Sequence, residues 1–274
     1  MILYNFLADP YHRSKFIGSG GMKQLIKSIA HYQNYLTSPP KETEEMLIGT
    51  LLHASVLEPD KLDSLFAGIA VKPEGLSLAT KEGKEWKAVN EGKKIISAES
   101  KTAIDEMHHN IVSHPLYKDI LTGGNPETSI FVKDYSTGIH LKARPDYLIH
   151  WHDGLKTTAV IVDIKTMKPP IYPMEAFRYA VKARGINIQM AHYRRVLLNE
   201  LPGVVIDHHY IVAVENNPPY LVKIYDLDAS TDLMLNAEYE IETALNKFKR
   251  YKTAESAEIK QSYFGYPAKI ELVK

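Results

Sequence analysis

At 274 residues the chain exceeds the usual single-domain length, yet a single α/β core with a helical elaboration accommodates it. Its 45% hydrophobic and 24% charged residues exclude a disordered or fibrous protein, and its lack of cysteine excludes a disulfide scaffold, a thiolate zinc site and a cysteine-ligated iron–sulfur cluster. Thirty-three basic residues balance thirty-three acidic ones, so the global positive charge of a typical nucleic-acid binder is missing and any such partner needs positive potential focused in a channel.

No apolar run approaches the roughly eighteen residues of a membrane span, and MILYNFLADPYHRSK has no basic stretch leading into an apolar one. The expectation is a non-secreted, cytoplasmic protein, bacterial or phage-encoded, without a membrane partner.

In chain order, residues 20–37 place Met22, Leu25, Ile29, Tyr32 and Leu36 at three- and four-residue spacings, which predicts one amphipathic helix ended by Pro39-Pro40. A second helix is predicted from Lys41 to Leu57, acidic in its first turns, with Pro59 just beyond and His53 inside. Residues 68–96, rich in Lys, Glu and Gly, read as a partly irregular, solvated arm. Ser97 is a plausible N-cap for a helix that stops before Pro115.

After the turn cluster at 123–126 the character changes. TSIFVKDY, IHLKARPDYLI and TAVIVDIKT read as three strands of an antiparallel meander. Helices follow around 174–183 and 186–200, then strands HHYIVAVE and YLVKIYD, then a helix over about 229–250 with an apolar stripe from Met234 to Phe248. The result is one domain over 1–274: a mainly helical part to 122, a sheet core over 123–226, and a last helix and tail over 227–274.

KARPDYLI and VDIKT carry the chemistry. Neighbouring strands can hold Asp146 and Asp163 side by side, and two carboxylates that close repel unless a cation lies between them. Mg²⁺ prefers such oxygen ligands. Lys165, two residues after Asp163, leaves the same strand face, where its ammonium could orient a water, stabilise charge developing on phosphorus, or act as a base if its pKa were depressed. Ile164 points the other way, but its carbonyl could face the metal. An isolated DxK is more often a surface ion pair; here the preceding VIV run marks a buried strand, which disfavours that reading. Arg144, taken to share a strand face with Asp146, could meet a phosphate or form an ordinary ion pair. Gln189 and Tyr193, four apart, share a helix face. The doublets His108-His109 and His208-His209 lack partners at metal-ligand spacing, and no HExxH, GxxxxGK[ST] or GxSxG occurs.

KARPDYL, VDIKT and GINIQMAHYRRVL together resemble the core of the PD-(D/E)xK nuclease superfamily. MKQLIKSIAHYQNYL, IGTLLHASVLEP and TKEGKEWKAVNEGKKIIS are similar to the helical half of its RecE-type group, the exonuclease VIII-like recombination exonucleases of phages and prophages. The similarity spans most of residues 15–200. It implies a restriction-endonuclease-like core, a central mixed sheet flanked by helices, and hydrolysis of DNA phosphodiesters with one or two Mg²⁺ ions, Mn²⁺ being a substitute.

By position in the matched motifs, His53 is implied as a further metal ligand beside Asp146, Asp163 and the Ile164 carbonyl. Glu127 is implied as an acidic position that binds a second metal or the substrate, and Gln189 with Tyr193 as the QxxxY element lining the scissile phosphate. The resemblance further implies digestion of duplex DNA from 5′ ends to leave 3′ single strands, a RecT-like annealing partner, and a homo-oligomeric ring, with a tetramer favoured. An endonuclease of the same fold and a catalytically silent DNA-binding subunit are the alternatives.

Overall fold

The computed structural model describes residues 1–38 and 42–255. The chain opens with strand β1 (Ile2–Leu3), helix α1 (Ala8–Arg13), α2 (Ser19–Lys27) and α3 (Ile29–Thr37). The single helix expected over 20–37 is therefore two. Ser28 is fully extended between them (φ −173°, ψ 165°), and its hydroxyl accepts from the His31 N–H to cap α3, a local bond with which serine competes against helix continuation. Pro39 and Pro40, expected to end that helix, lie outside the described residues.

Next come α4 (Glu44–Leu57), capped by Thr43, a single 3₁₀ turn at Pro59–Lys61, α5 (Leu62–Ala67), β2 (Ile69–Lys72), α6 (Lys81–Val89), β3 (Lys94–Ser97), α7 (Ala98–Val112) and α8 (Tyr117–Ile120). The segment 68–96 is thus ordered, not an irregular arm: β2 and β3 pair in parallel across α6, burying Ala70 and Ile96. Of its apolar side chains only Ala70 and Ile96 are buried, with Ile69 packed beside them, too few for a periodic signal. Ser97 caps α7 as its sequence predicts.

The remaining elements are β4 (Asn125–Pro126), β5 (Ser129–Lys133), β6 (His140–Ala143), β7 (Tyr147–His152), β8 (Thr157–Met167), α9 (Met174–Ala183), α10 (Ile186–Glu200), β9 (Val205–Glu215), β10 (Val222–Asp226) and α11 (Asp232–Thr253). The central sheet runs β10-β9-β8-β7-β4, with β8 and β9 parallel and the other neighbours antiparallel; β1-β5-β6 form a separate antiparallel sheet. The sheet is mixed and flanked by helices. The expected three-strand meander is corrected: IHLKARPDYLI is two strands in different sheets, interrupted at Arg144-Pro145-Asp146. Pro145 has no N–H to donate to a ladder, so the strand breaks there.

Strand alternation divides the core. Ala159 and Ile161 of β8 face α2, α3, α10 and α11, while Val160, Val162 and Ile164 face α4, α7 and α8. Asp163 and Lys165 continue the first series and so face α10 and α2. Leu52 and Val56 seat α4 on the opposite face; Leu52 is fully buried, and its truncation to alanine costs about 3 kcal/mol. That packing fixes the height at which His53 meets the sheet.

Candidate active site

The strand break assembles the site. Ladder pairing between β7 and β8 ends at Tyr147 opposite Val162, leaving Asp146 just past the ladder. Its carboxylate accepts from the Ile164 N–H at 2.7 Å, replacing the backbone acceptor lost at the break. The Asp146 carbonyl accepts from the Glu127 N–H at 2.9 Å, so pairing of β4 with β7 delivers Glu127 to the same point. Glu127 adopts φ 47°, a left-handed conformation costing a non-glycine residue about 1 kcal/mol. His53 Nε2 donates to the Ile164 carbonyl at 2.9 Å, while Nδ1 faces Asp146 at 3.5 Å.

One ligand atom each from His53, Glu127 and Asp146 lie within 4.8 Å of one another. Asp163 is beside this group and differently engaged. It is fully buried, ion-paired with Lys165, and accepts from Gln189 Nε2 at 3.0 Å; the same amide nitrogen donates to Tyr193 Oη at 2.8 Å. The ligand set read from the sequence, with Asp163 and the Ile164 carbonyl beside His53 and Asp146, is thus drawn differently. Glu127 joins the cluster, and the Ile164 carbonyl is taken up by His53.

The electrostatics are those of crowded carboxylates. Burial and then the neighbouring Asp146 push the Glu127 carboxyl up to about 8, and the same two causes push Asp163 up to about 6. Burial opposes the charge on Lys165, but Asp163 and Asp146 outweigh it and hold the ammonium above the ordinary lysine range. Burial, with Asp163 and Asp146 nearby, raises the Tyr193 phenol, which stays a proton donor.

Oxygen donors, one imidazole and carboxylates that repel each other at this separation suit a hard divalent cation. His53, Glu127 and Asp146 are the residues that would hold it.

Arg144 is less free than expected. It lies in the strand break, not on a strand with Asp146. It donates to Ser129 Oγ at 2.8 Å and to the Phe6 carbonyl at 2.6 Å, lies 4.4 Å over the Tyr11 ring, and keeps 3.9 Å from Glu127. Its fork is largely committed to holding the amino-terminal segment.

Sequence reasoning overlooked Lys23 and Arg184. Lys23 Nζ donates to the Arg184 carbonyl at 3.2 Å, and Arg184 donates to the Thr166 carbonyl at 2.7 Å, one residue past Lys165. Burial and then Lys165 lower Lys23 to about 8. Gly185, at φ 61°, permits the approach, since a Cβ there would lie 3.3 Å from the Lys23 side chain. The signal in the sequence is faint, a lysine on the buried side of a helix. His208 bonds Asp226, and His209 is buried on its strand; neither reaches the site.

A mixed sheet whose strand β7 begins just after a proline, with carboxylates and a lysine gathered beside that point, is the PD-(D/E)xK arrangement. The chain belongs to the family described as PDDEXK-like domain of unknown function (DUF3799), whose model matches residues 18–261. Its fold is similar to a crystal structure from Eubacterium rectale described as a "Putative exonuclease", with TM-score 0.61 and 14% identity over 92% of this chain and 88% of that one. The structure of SSO0001 aligns at TM-score 0.27 and 10% identity over 83% of this chain and 84% of that one, too weakly to carry an argument. No curated protein matches the chain.

Proposed function

We propose that the protein is a Mg²⁺-dependent exonuclease that hydrolyses phosphodiesters of double-stranded DNA. One observation carries the reading: His53, Glu127 and Asp146 converge within 4.8 Å beside a buried Asp163–Lys165 pair. A divalent cation bound by that cluster supplies Lewis-acid polarisation of a phosphoryl oxygen.

The chain's own residues do the rest. Lys165, held charged by Asp163 and Asp146, orients the attacking water and offsets negative charge developing on phosphorus. Gln189 fixes the Asp163 carboxylate, and hence the lysine, through its amide. Tyr193 accepts from that amide, which leaves its own proton to donate to a phosphate oxygen.

Digestion from 5′ ends, release of 3′ single strands to a RecT-like annealing protein, and a ring of subunits, tetrameric by preference, complete the proposal. These rest on resemblance to the RecE-type group; the Eubacterium rectale neighbour's designation supports the exonuclease assignment. An enzyme that must enclose DNA to stay bound also accommodates a chain with no net charge. The test incubates 5′- and 3′-labelled linear duplex with the protein, with and without Mg²⁺, beside a closed circle. Metal-dependent early loss of the 5′ label, with the circle intact, is expected. Cutting of the circle would select an endonuclease, and inertness toward every substrate would select a silent DNA-binding subunit.

A further inference from the structure

Residues 4–16 run from β1 to α2 and lie across the mouth of the candidate active site. Both ends of this segment are tied to the β1-β5-β6 sheet. β1 pairs with β5 before it, with Ile2 opposite Ile130, and after it Ile17 donates to the His140 carbonyl at 3.0 Å and accepts from the Lys142 N–H at 2.9 Å. A cavity of about 460 Å³ opens on the side of Phe6 and Leu7 and reaches His53, and one of about 310 Å³ opens on the side of Tyr11 and reaches Tyr193. His12, Glu127 and Arg144 line both. The segment therefore divides one trough over the metal cluster into two.

Little apolar packing holds it down. Tyr11 is its one buried side chain, while Tyr4 and Leu7 are 47% and 71% exposed. Phe6 and Phe16 meet the Phe131 ring edge-on, at 5.7 and 5.3 Å between centroids. The rest of the hold is polar. Arg144 donates to the Phe6 carbonyl, and Lys142 Nζ donates to the carbonyls of Tyr11 at 2.6 Å, His12 at 3.3 Å and Ser14 at 3.2 Å.

Both cations are buried, and among the described residues no carboxylate forms an ion pair with Lys142. Burial and then Arg144 lower the Lys142 ammonium to about 8. A neutral carbonyl compensates a buried cation less than a carboxylate does, so these bonds hold the segment without making it permanent. A segment with few buried apolar contacts opens at a small fraction of the global unfolding free energy, and its ends, fixed in ladders, stay behind.

We propose that residues 4–16 form a flap, latched by Arg144 and Lys142, that closes the metal cluster to a duplex end and lifts to admit it. α1 is its stiff middle, and the two anchored ends are its hinges. Latched, the flap leaves two separate openings onto the cluster; lifted, it joins them into one trough. What enters rests on the nuclease reading, whereas the latch does not.

The chain has no cysteine, so a pair introduced by Leu7→Cys on the flap and Leu65→Cys on α5, both lining the larger cavity, can be bridged selectively with a bis-maleimide carrying a disulfide in its spacer. The bridged full chain should lose Mg²⁺-dependent cleavage of linear duplex, and reduction of the spacer should restore it, so a folding defect cannot imitate the loss. Cleavage unaffected by the bridge overturns the proposal. Hydrogen exchange without DNA reads the latch separately. The Tyr11 and Ser14 amides, bonded within the segment, should exchange faster than those of β5. Lys142→Met should speed them by about tenfold or more while β5 keeps its protection, as for the loss of hydrogen bonds from a charged group. Exchange as slow as that of β5, or unmoved by Lys142→Met, also overturns the flap. A chain that cuts no DNA in any state refutes the nuclease reading, and the exchange comparison then decides the flap alone.

Discussion

Asp163 and Lys165 are buried together on β8, with Gln189 donating to the carboxylate, so the ammonium is held beside Asp163. Asp163→Asn or Lys165→Met should lower cleavage of linear duplex by about a thousandfold. Circular dichroism and melting should remain those of a folded chain, because Asp163→Asn also relieves repulsion from Asp146. Cleavage near the wild-type rate in both variants would remove these residues from the mechanism. Glu127 makes a different prediction, since its carboxylate belongs to the cluster with His53 and Asp146. Glu127→Ala should weaken Mn²⁺ binding by about tenfold or more, because affinity for hard cations follows the count of charged ligands. Unchanged affinity in calorimetry would exclude it as a ligand.

Much of this residue set is legible in the sequence. RPD followed by VDIK announces two carboxylates and a lysine because strand spacing fixes which side chains share a face. The commitments of Arg144 and Lys23 are not legible, because both depend on contacts with carbonyls remote in sequence, Phe6 for one and Arg184 for the other.

At the scale of elements, α10 is the pivot. It presents Gln189 and Tyr193 to the sheet and is tied to β6 by His192, a fully buried residue whose Nε2–H donates to the Lys142 carbonyl at 2.9 Å. Burial lowers His192 to about 4 from an ordinary 6.5. The unfolded chain therefore takes up a proton between those values that the folded one refuses. The stability from neutral His192 is complete above the unfolded pKa and is lost as pH falls toward the folded one. The loss is about 3 kcal/mol. Urea unfolding between about pH 7.5 and about pH 4.5 should show this decline in the wild type and a shallower one in His192→Gln. Identical slopes would contradict it. The helices α7, α9, α10 and α11 were legible from periodicity and caps. The strand break at Pro145 and the helix break at Ser28 were not, since each turns on one residue whose preference competes with a pattern that continues on both sides.

For the whole molecule, a chain of zero net charge gathers Lys23, Lys142, Arg144, Lys165 and Arg184 around one region, offset there by Glu127, Asp146 and Asp163. Composition cannot register such focusing, which only the fold creates. If a ring encloses the DNA, sedimentation should give an oligomer at working concentration, and a monomer that still digests DNA would rule the ring out. Among the described residues no helix is long and apolar enough to cross a membrane.

The central claim is that α4, the β4–β5 junction and the β6–β7 break, distant in sequence, fold into one metal site. Anomalous diffraction from crystals soaked in Mn²⁺ tests it most directly. The account predicts a peak bonded to His53, Glu127 and Asp146 at about 2.0–2.3 Å, with Lys165 beside it. An empty cluster in crystals that hold Mn²⁺ elsewhere would contradict it.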